Sequence, residues 1–270
     1  MLPGVYKAYT TKNILYYRSN ITYQNKHISL GSFSVEADAN SAYLEASAIL
    51  SDSAITLDGL TQHIDCLSFS KAISLINFRD NHLYIPNPIY LRSNYFEYYL
   101  SSNECLKFDI EDLFYYSSHK IMKRGGHLFV NEYGMQYTIL ARYGIRNYAV
   151  PERDYQFANG DSTDFRYSNI IIVNSYYGVT EVTDKTGKCS YKAKIHINGD
   201  FILGEYQTVT EAAIAYNKAV DLLNDSGLSK NYNVNYIDSL TSSEYAEIYT
   251  KIKLSTNLNN YIKKVCCFPH

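Results

Sequence analysis

Tyr177-Gly178-Val179-Thr180-Glu181-Val182, then Tyr191-Lys192-Ala193-Lys194-Ile195-His196-Ile197-Asn198-Gly199, then Phe201-Ile202-Leu203-Gly204-Glu205-Tyr206 decide the fold of this chain. The first stretch reads as a strand, and Asp184-Lys185-Thr186-Gly187-Lys188 as a turn in which Gly187 supplies a positive φ. The second alternates, with Tyr191, Ala193, Ile195 and Ile197 on one face and Lys192, Lys194 and His196 on the other. Asn198-Gly199 is a strong hairpin signal, and Phe201 to Tyr206 returns as a third strand. Thr208-Val209-Thr210-Glu211 is a capping box that opens a helix with Ala212, Ala215, Tyr216, Ala219 and Leu223 in one stripe. Three antiparallel strands with a helix across one face leave the other face free as a binding surface.

The same plan occurs once more. Leu30-Gly31-Ser32-Phe33 repeats as Leu203-Gly204-Glu205-Tyr206, and Ala39, Ala42, Tyr43 and Ala46 repeat as Ala212, Ala215, Tyr216 and Ala219. The offset is constant at 173 (204 − 31 and 216 − 43). Such self-similarity means that one supersecondary unit is used twice. In the first copy the strands are expected at Gly4–Tyr9, Tyr16–Tyr23 and His27–Phe33, with a helix from about Val35 to Leu50. Its second hairpin is one residue longer, and Ser34 is followed by Ala37 where a capping box needs Glu.

Outside the repeats the pattern is mixed. Leu83-Tyr84-Ile85-Pro86 and His127-Leu128-Phe129-Val130 read as strands, and Lys107–Tyr116 has helical apolar spacing. Ser242 to Val265 reads as a helical tail with apolar positions at Tyr245, Ile248, Ile252 and Leu254. The expected fold class is α+β, with two small modules of three-stranded antiparallel sheet plus one helix flanking a ββα region. The expected segments are a first module at 1–50, a linking α/β region at 51–110, a domain at 111–175, a second module at 176–237 and the tail at 238–270.

An apolar fraction of 46% suffices for packed cores, and the absence of an eighteen-residue apolar run argues against a membrane span. The N-terminus lacks the basic stretch and apolar core of a signal peptide. Five cysteines, at 66, 105, 189, 266 and 267, have no CxxC spacing and read as reduced thiols of a cytoplasmic protein. The net charge of −2 disfavours a strongly basic, non-specific nucleic-acid binder but permits a specific one with its cations on one face. The 29 tyrosines, against 11 phenylalanines and no tryptophan, are spread over the whole chain and read as composition bias rather than as a dedicated stacking surface.

Gly178-Val179, Tyr191-Lys192-Ala193-Lys194-Ile195, Leu203-Gly204-Glu205-Tyr206 and Glu211-Ala212-Ala213-Ile214-Ala215-Tyr216 resemble the ethylene-response-factor (APETALA-two-type) DNA-binding domain. The resemblance covers about sixty residues of the second copy and, more weakly, about forty-five of the first. It implies a sheet laid in the major groove of double-stranded DNA. The family reads bases with arginines and tryptophans on the outer face; here Thr180 and Val182 replace arginines, Ile202 stands for tryptophan, and Lys194 and His196 occupy the second strand. Lys and His still suit phosphate or guanine edges, but a target sequence does not carry over.

Just upstream, Asn159-Gly160-Asp161-Ser162-Thr163-Asp164-Phe165-Arg166-Tyr167-Ser168-Asn169 resembles the core of an HNH homing nuclease, a class that often carries an ethylene-response-factor domain directly afterwards. In that family an acidic residue and a histidine precede the Asn-Gly-Asp run, where this chain has Gln156 and Phe157, and the last metal-ligand histidine falls near Ser175. Hydrolysis of this kind needs a base and a divalent metal, and phenylalanine supplies neither. The reading is a retired active site: Arg166 and Asn169 close the loop, Asp161 and Asp164 suit its turn, and no catalytic, cofactor or metal residues are expected.

His119-Lys120 and Lys123-Arg124-Gly125-Gly126-His127 form the densest basic cluster, either a phosphate grip or a solvated turn. A replacement metal site from His119, His127, Asp154 and Asp161 is disfavoured, as is a Cys66–His63 dyad. The expected DNA contacts are Thr180, Lys185, Lys188, Lys192, Lys194 and His196 in the second copy, Arg18, Asn20, Thr22 and His27 in the first, and Lys120, Lys123 and Arg124. The leading expectation is a non-catalytic, sequence-specific double-stranded DNA-binding protein, a transcription regulator derived from an HNH homing nuclease, that reads the major groove with the sheet of residues 176–206 while the first copy extends the footprint or assists a neighbouring site. The alternatives are a metal-dependent endonuclease with rearranged ligands and a protein-interaction module, with dimerisation or a protein partner on the first copy.

Overall fold

The Leu-Gly pair that marks each repeat is a β-bulge. In the computed structural model, which describes residues 1–146, 149–174, 176–228 and 232–266, Ser19 pairs with Gly31 and Asn20 with Ser29, so Leu30 is the extra residue. Ala193 pairs with Gly204 and Lys194 with Ile202, so Leu203 is extra in the same way. A bulge bends the strand and re-aims a side chain, and both leucines turn into buried positions.

The first module is β1 (Val5–Tyr9), β2 (Leu15–Tyr23), β3 (Lys26–Phe33) and α1 (Glu36–Ser51). There follow α2 (Phe69–Asn81), β4 (Ile89–Leu91), β5 (Tyr95–Ser101), β6 (Glu104–Asp109), α3 (Leu113–Ser118), β7 (Ile121–Arg124), β8 (His127–Glu132) and β9 (Met135–Thr138). Short strands β10 (Tyr155–Phe157) and β11 (Ile170–Ile172) precede the second module, β12 (Val179–Thr183), β13 (Cys189–His196), β14 (Asp200–Tyr206) and α4 (Val209–Asp225). The tail forms α5 (Ser242–Lys251) and α6 (Thr256–Cys266). The fold class is α+β, with four three-stranded antiparallel sheets among the described residues, in the orders β1-β2-β3, β4-β5-β6, β7-β8-β9 and β12-β13-β14. Among the described residues no helix is long and apolar enough to cross a membrane.

The chain folds as two compact units: Met1–Tyr143 with Phe157–Ile170, and Gly144–Gln156 with the chain from Ile171 on. In the first, the helix-facing side of β2 and β3 and the stripe Ala42, Ala46 and Ile49 of α1 share one core with Ala72, Ile73, Leu75 and Ile76 of α2. The Glu45 carboxylate accepts from the Cys66 and Leu67 amides at 3.1 and 2.8 Å. Arg79 Nη1 donates to the carbonyls of Ile49, Asp52 and Ile55, which caps the end of α1. In the second unit Val179, Ala193, Ile195 and Leu203 pack on Ala212, Ala215, Tyr216 and Ala219, and Ile252 and Leu258 of the tail join them.

Each helix is held to its sheet by a tyrosine lying on a glycine. A Cβ on Gly4 would sit 2.1 Å from the Tyr43 ring, and one on Gly178 would sit 2.2 Å from the Tyr216 ring. Both glycines have positive φ, 72° and 68°. Their carbonyls accept from the first amide past the bulge, Asn20 N at 3.0 Å and Lys194 N at 2.8 Å. The fully buried alanines at Ala39, Ala42 and Ala46, and at Ala212, Ala215 and Ala219, let the helix approach closely.

The Thr208–Glu211 capping box forms reciprocally, while α1, with Val35 as its N-cap, has no side-chain cap. Gly187 has the expected positive φ, 82°. Asn198-Gly199 does close a hairpin, but through three residues between His196 and Asp200, with neither residue at positive φ. The two-residue turn occurs instead in the first copy, where Gln24 and Asn25 both take positive φ. Leu83–Pro86 is not a strand: the Leu83 carbonyl accepts from Asn77 Nδ2, and Pro86 has no amide to give. Lys107–Tyr116 is not one helix, because β6 runs to Asp109 with Leu106 and Phe108 buried, and α3 begins only at Leu113. The tail breaks between α5 and α6, where Ser255 N donates to the bulged Leu203 carbonyl at 2.8 Å.

Gly178→Ala should lower stability by about 2–4 kcal/mol, since it combines overpacking with a strained φ. Gly187→Ala, with nothing within 4 Å of an added Cβ, should lower it by about 1 kcal/mol. Urea unfolding of both variants measures the difference, and equal losses would show that the tyrosine contact does not constrain the glycine.

Candidate nucleic-acid interface

Register and burial separate the two faces of each repeated sheet. On the second, Thr180 stands opposite Lys192, Lys192 opposite Glu205, Lys194 opposite Ile202 and His196 opposite Asp200, all away from the helix. This is the expected stripe, but it is not a free row of cations. Lys194 Nζ lies 2.8 Å from Asp200 Oδ2, and His196 Nδ1 lies 2.9 Å from Asp200 Oδ1. The hydrogen bond from Lys194, then that from His196, holds the Asp200 carboxyl below the usual carboxylate range. Glu205 accepts from the Ser190 hydroxyl on the same face. Lys185 and Lys188 are exposed in the turn that Asp184 organises by accepting from the Thr186 and Lys188 amides.

The first sheet carries a different surface. Tyr6 stands opposite Arg18, Arg18 opposite Ser32, Asn20 opposite Ser29 and Thr22 opposite His27. Arg18 donates to Tyr16 Oη through Nε at 3.1 Å and Nη2 at 2.7 Å, with its guanidinium 5.5 Å from that ring. Thr22 Oγ1 lies 3.2 Å from His27 Nδ1. Residues 1–35 contain Lys7, Lys12, Arg18 and Lys26 and no aspartate or glutamate. Residues 176–208 contain four lysines and four carboxylates. The first sheet is therefore cationic and the second is balanced, the reverse of what the outward residues alone suggest.

The third basic group sits on the β7–β8 hairpin. Lys120 is exposed, Lys123 Nζ lies 2.5 Å from Glu104 Oε1, and the Arg124 guanidinium lies 5.7 Å from the Phe129 ring. Gly125 and Gly126 form its turn at φ 55° and 83°.

The Asn159–Asn169 loop closes as the sequence suggests, through its own side chains. Asn169 Oδ1 accepts from Asn159 N at 2.8 Å, and Asn169 Nδ2 donates to the Asp164 carbonyl at 2.8 Å. Buried Asp164 accepts from Arg166 Nε and Nη2 at 2.8 and 2.6 Å and from Asn159 Nδ2 at 3.1 Å. Asp161 accepts from the Thr163 hydroxyl and amide and from Lys107 Nζ. These bonds, led by Thr163 for Asp161 and by Arg166 for Asp164, hold both carboxyls below their usual range. Phe157 packs edge-on against Phe165, 5.6 Å between centroids.

His119 stacks on Tyr115 at 4.1 Å, His127 stands opposite Arg124 in the β7–β8 ladder, and Asp154 is bound by Arg146 and Arg153. Among the described residues no group of three or more His, Cys, Asp or Glu is disposed to hold a metal ion. Cys66, Cys105 and Cys189 are free, and burial pushes the Cys105 thiol up to about 12. Burial, then Glu45, raises the Cys66 thiol, which removes the thiolate a nucleophile needs. Ser175 and Cys267 lie outside the described residues.

The sequence reading missed the counter-charges Asp200 and Glu205 and the tyrosines Tyr6 and Tyr16 beside Arg18. A two-residue turn at Asn198-Gly199 would set Asp200 across from Ile197, and its place opposite His196 follows only from the three-residue loop. No protein-family model, curated protein or solved structure matches the chain.

Asp164→Ala should lower stability by about 3 kcal/mol at neutral pH, because it leaves Arg166 and Asn159 without their acceptor. Asp164 is depressed in the folded state, so its contribution is complete above the ordinary aspartate value of 3.8 and is lost as pH falls through the folded value. Unfolding curves of wild type and variant should therefore converge at acid pH; a gap that persists there would contradict this assignment.

Proposed function

We propose that this chain is a non-catalytic protein that binds double-stranded DNA through the uncovered faces of its repeated sheets. The observation that carries the reading is the first sheet: Arg18, Asn20, Thr22 and His27 stand on one open face in a stretch without a carboxylate. A major groove about 12 Å wide admits strands of a sheet, and Arg and Asn are the side chains that best read guanine and adenine edges. Tyr16 holds the Arg18 guanidinium in place, which lowers the entropy lost on docking. The second sheet contributes Lys192 and its turn lysines, with Lys194 and His196 shielded by Asp200. Two modules on one chain gain affinity through effective concentration, which offsets a near-neutral net charge. The resemblance to ethylene-response-factor domains supports the same face. The closed, phenylalanine-packed loop at 157–169 supports the absence of cleavage.

A protein contact on the first module is the second reading. Tyr9, Ile14 and Leu15 at the tip of the β1–β2 hairpin are exposed apolar side chains that DNA recognition does not require.

Selection of the full chain against a random duplex pool with magnesium present should enrich a motif and leave the DNA intact. Arg18→Ala should then weaken binding by about 1–3 kcal/mol, and Lys194→Ala by less than about 1 kcal/mol because that lysine already has a partner. Cut products would overturn the non-catalytic part. Unchanged affinity in Arg18→Ala would overturn the assignment of the face. Concentration-dependent self-association without DNA binding would favour the second reading.

A further inference from the structure

The second unit contains a cationic cavity that the sheet-face reading does not use. About 380 Å³ in volume, it lies at the end of the second sheet where Lys194 and His196 emerge, and is lined also by Arg146, Arg153, Tyr177 and Tyr232. The arginines are fixed by a buried carboxylate. Asp154, 1% exposed, accepts from Arg146 Nη2 and Arg153 Nη2, both at 2.7 Å, and from Val150 N at 2.8 Å. Asn174 Nδ2 reaches the same carboxylate at 3.3 Å, and the Asp154 carbonyl accepts from Val173 N and Asn174 N. Burial alone would raise the Asp154 carboxyl, but Arg153, Val150 and Arg146 together hold it below its usual range, so it stays ionised.

This arrangement leaves guanidinium capacity unspent. Among the described residues Arg146 Nη1 is buried without a hydrogen-bond partner, and its guanidinium lies 5.6 Å from the Tyr177 ring. A buried guanidinium donor with no acceptor is a position where an anionic oxygen is favoured. Arg153 is only half covered, and Lys194 and His196 are open to solvent beyond their contact with Asp200. Asp200 is itself half exposed and takes the place an anion would take between them.

We propose that this cavity binds a phosphate group, with Arg146 and Arg153 as the fixed donors, Lys194 and His196 as the adjustable ones, and Asp200 as an internal competitor. The planar rings of Tyr177 and Tyr232 suit a phosphate that carries a nucleoside. The proposal stands apart from groove reading by the sheets. Its phosphate comes either from a free nucleotide or from a nucleic-acid backbone.

Isothermal titration of the full chain with inorganic phosphate and with a nucleoside 5′-monophosphate, at constant ionic strength, tests it. Both should bind saturably. Arg153→Gln should weaken binding at least about tenfold. Asp200→Asn should tighten it roughly two- to fivefold, a gain that loss of structure would not produce. Lys251→Gln, on α5 outside the cavity, should leave it unchanged. Displacement of the monophosphate by duplex DNA would identify the backbone as the source, and its retention on the DNA-bound protein would identify a free nucleotide. Absence of saturable binding, or equal affinity in wild type, Arg153→Gln and Asp200→Asn, would overturn the proposal. Phosphate binding in a chain that binds no DNA would leave this site standing and remove the groove-reading proposal.

Discussion

The contact on which the two repeated modules depend is a tyrosine ring packed against a glycine. Gly4 under Tyr43 and Gly178 under Tyr216 have no room for a Cβ. Their positive φ turns the chain into the first strand, and their carbonyls tie that strand to the amide just past the bulge. The helix is thereby committed to one face of the sheet, and small alanines complete the seam. Once the helix is fixed, the outward residues of the three strands share the opposite face of the sheet. The bulge has a matching role in packing. It inserts Leu30 or Leu203 into the core as an extra residue, so that the outward positions step by three, from Ser29 to Ser32 and from Ile202 to Glu205.

One scaffold used twice has been given two electrostatic characters. In the first copy the outward cations have no carboxylate neighbour within the module's strands. In the second the same positions are held in pairs, and Asp200 takes up both Lys194 and His196. Exposed pairs of this kind add little stability, so their main effect is on what the surface can bind. A cation already satisfied must exchange one partner for another, whereas Arg18, braced by a neutral tyrosine, exchanges only water. Net charge over the whole chain hides this difference completely.

Much of the repeated fold was legible because its determinants are local. The alternation of Tyr191 to Ile197, the Thr208–Glu211 box and the Leu-Gly spacing each fix a short-range geometry. What escaped was set by tertiary contact. Helix α2 is buried nearly all round, from Ala72 through Phe78, so it shows no amphipathic stripe, and only in the structure is it seen to be capped by the Ser68 side chain, which accepts from Lys71 N. Leu106 and Phe108 alternate as a strand but continue into Leu113 and Tyr116 at helical spacing, and sheet pairing with Phe96 and Tyr98 decided between the two. At the candidate site the outward residues were legible from period two, and their counter-charges were not, since those depend on cross-strand register. The Asp154 cluster joins Arg146, Arg153 and Asn174, groups that no short motif connects.

The central claim is that the uncovered face of the first sheet is the principal DNA surface. Amide and arginine side-chain chemical-shift mapping of the full chain, titrated with a duplex enriched from a random pool, tests it most directly. The account predicts saturable shifts at Arg18 Nε and at the amides of Tyr6, Asn20, Thr22 and His27, with smaller ones along β13. Saturable shifts confined to the second sheet, or to surfaces away from both, would contradict it.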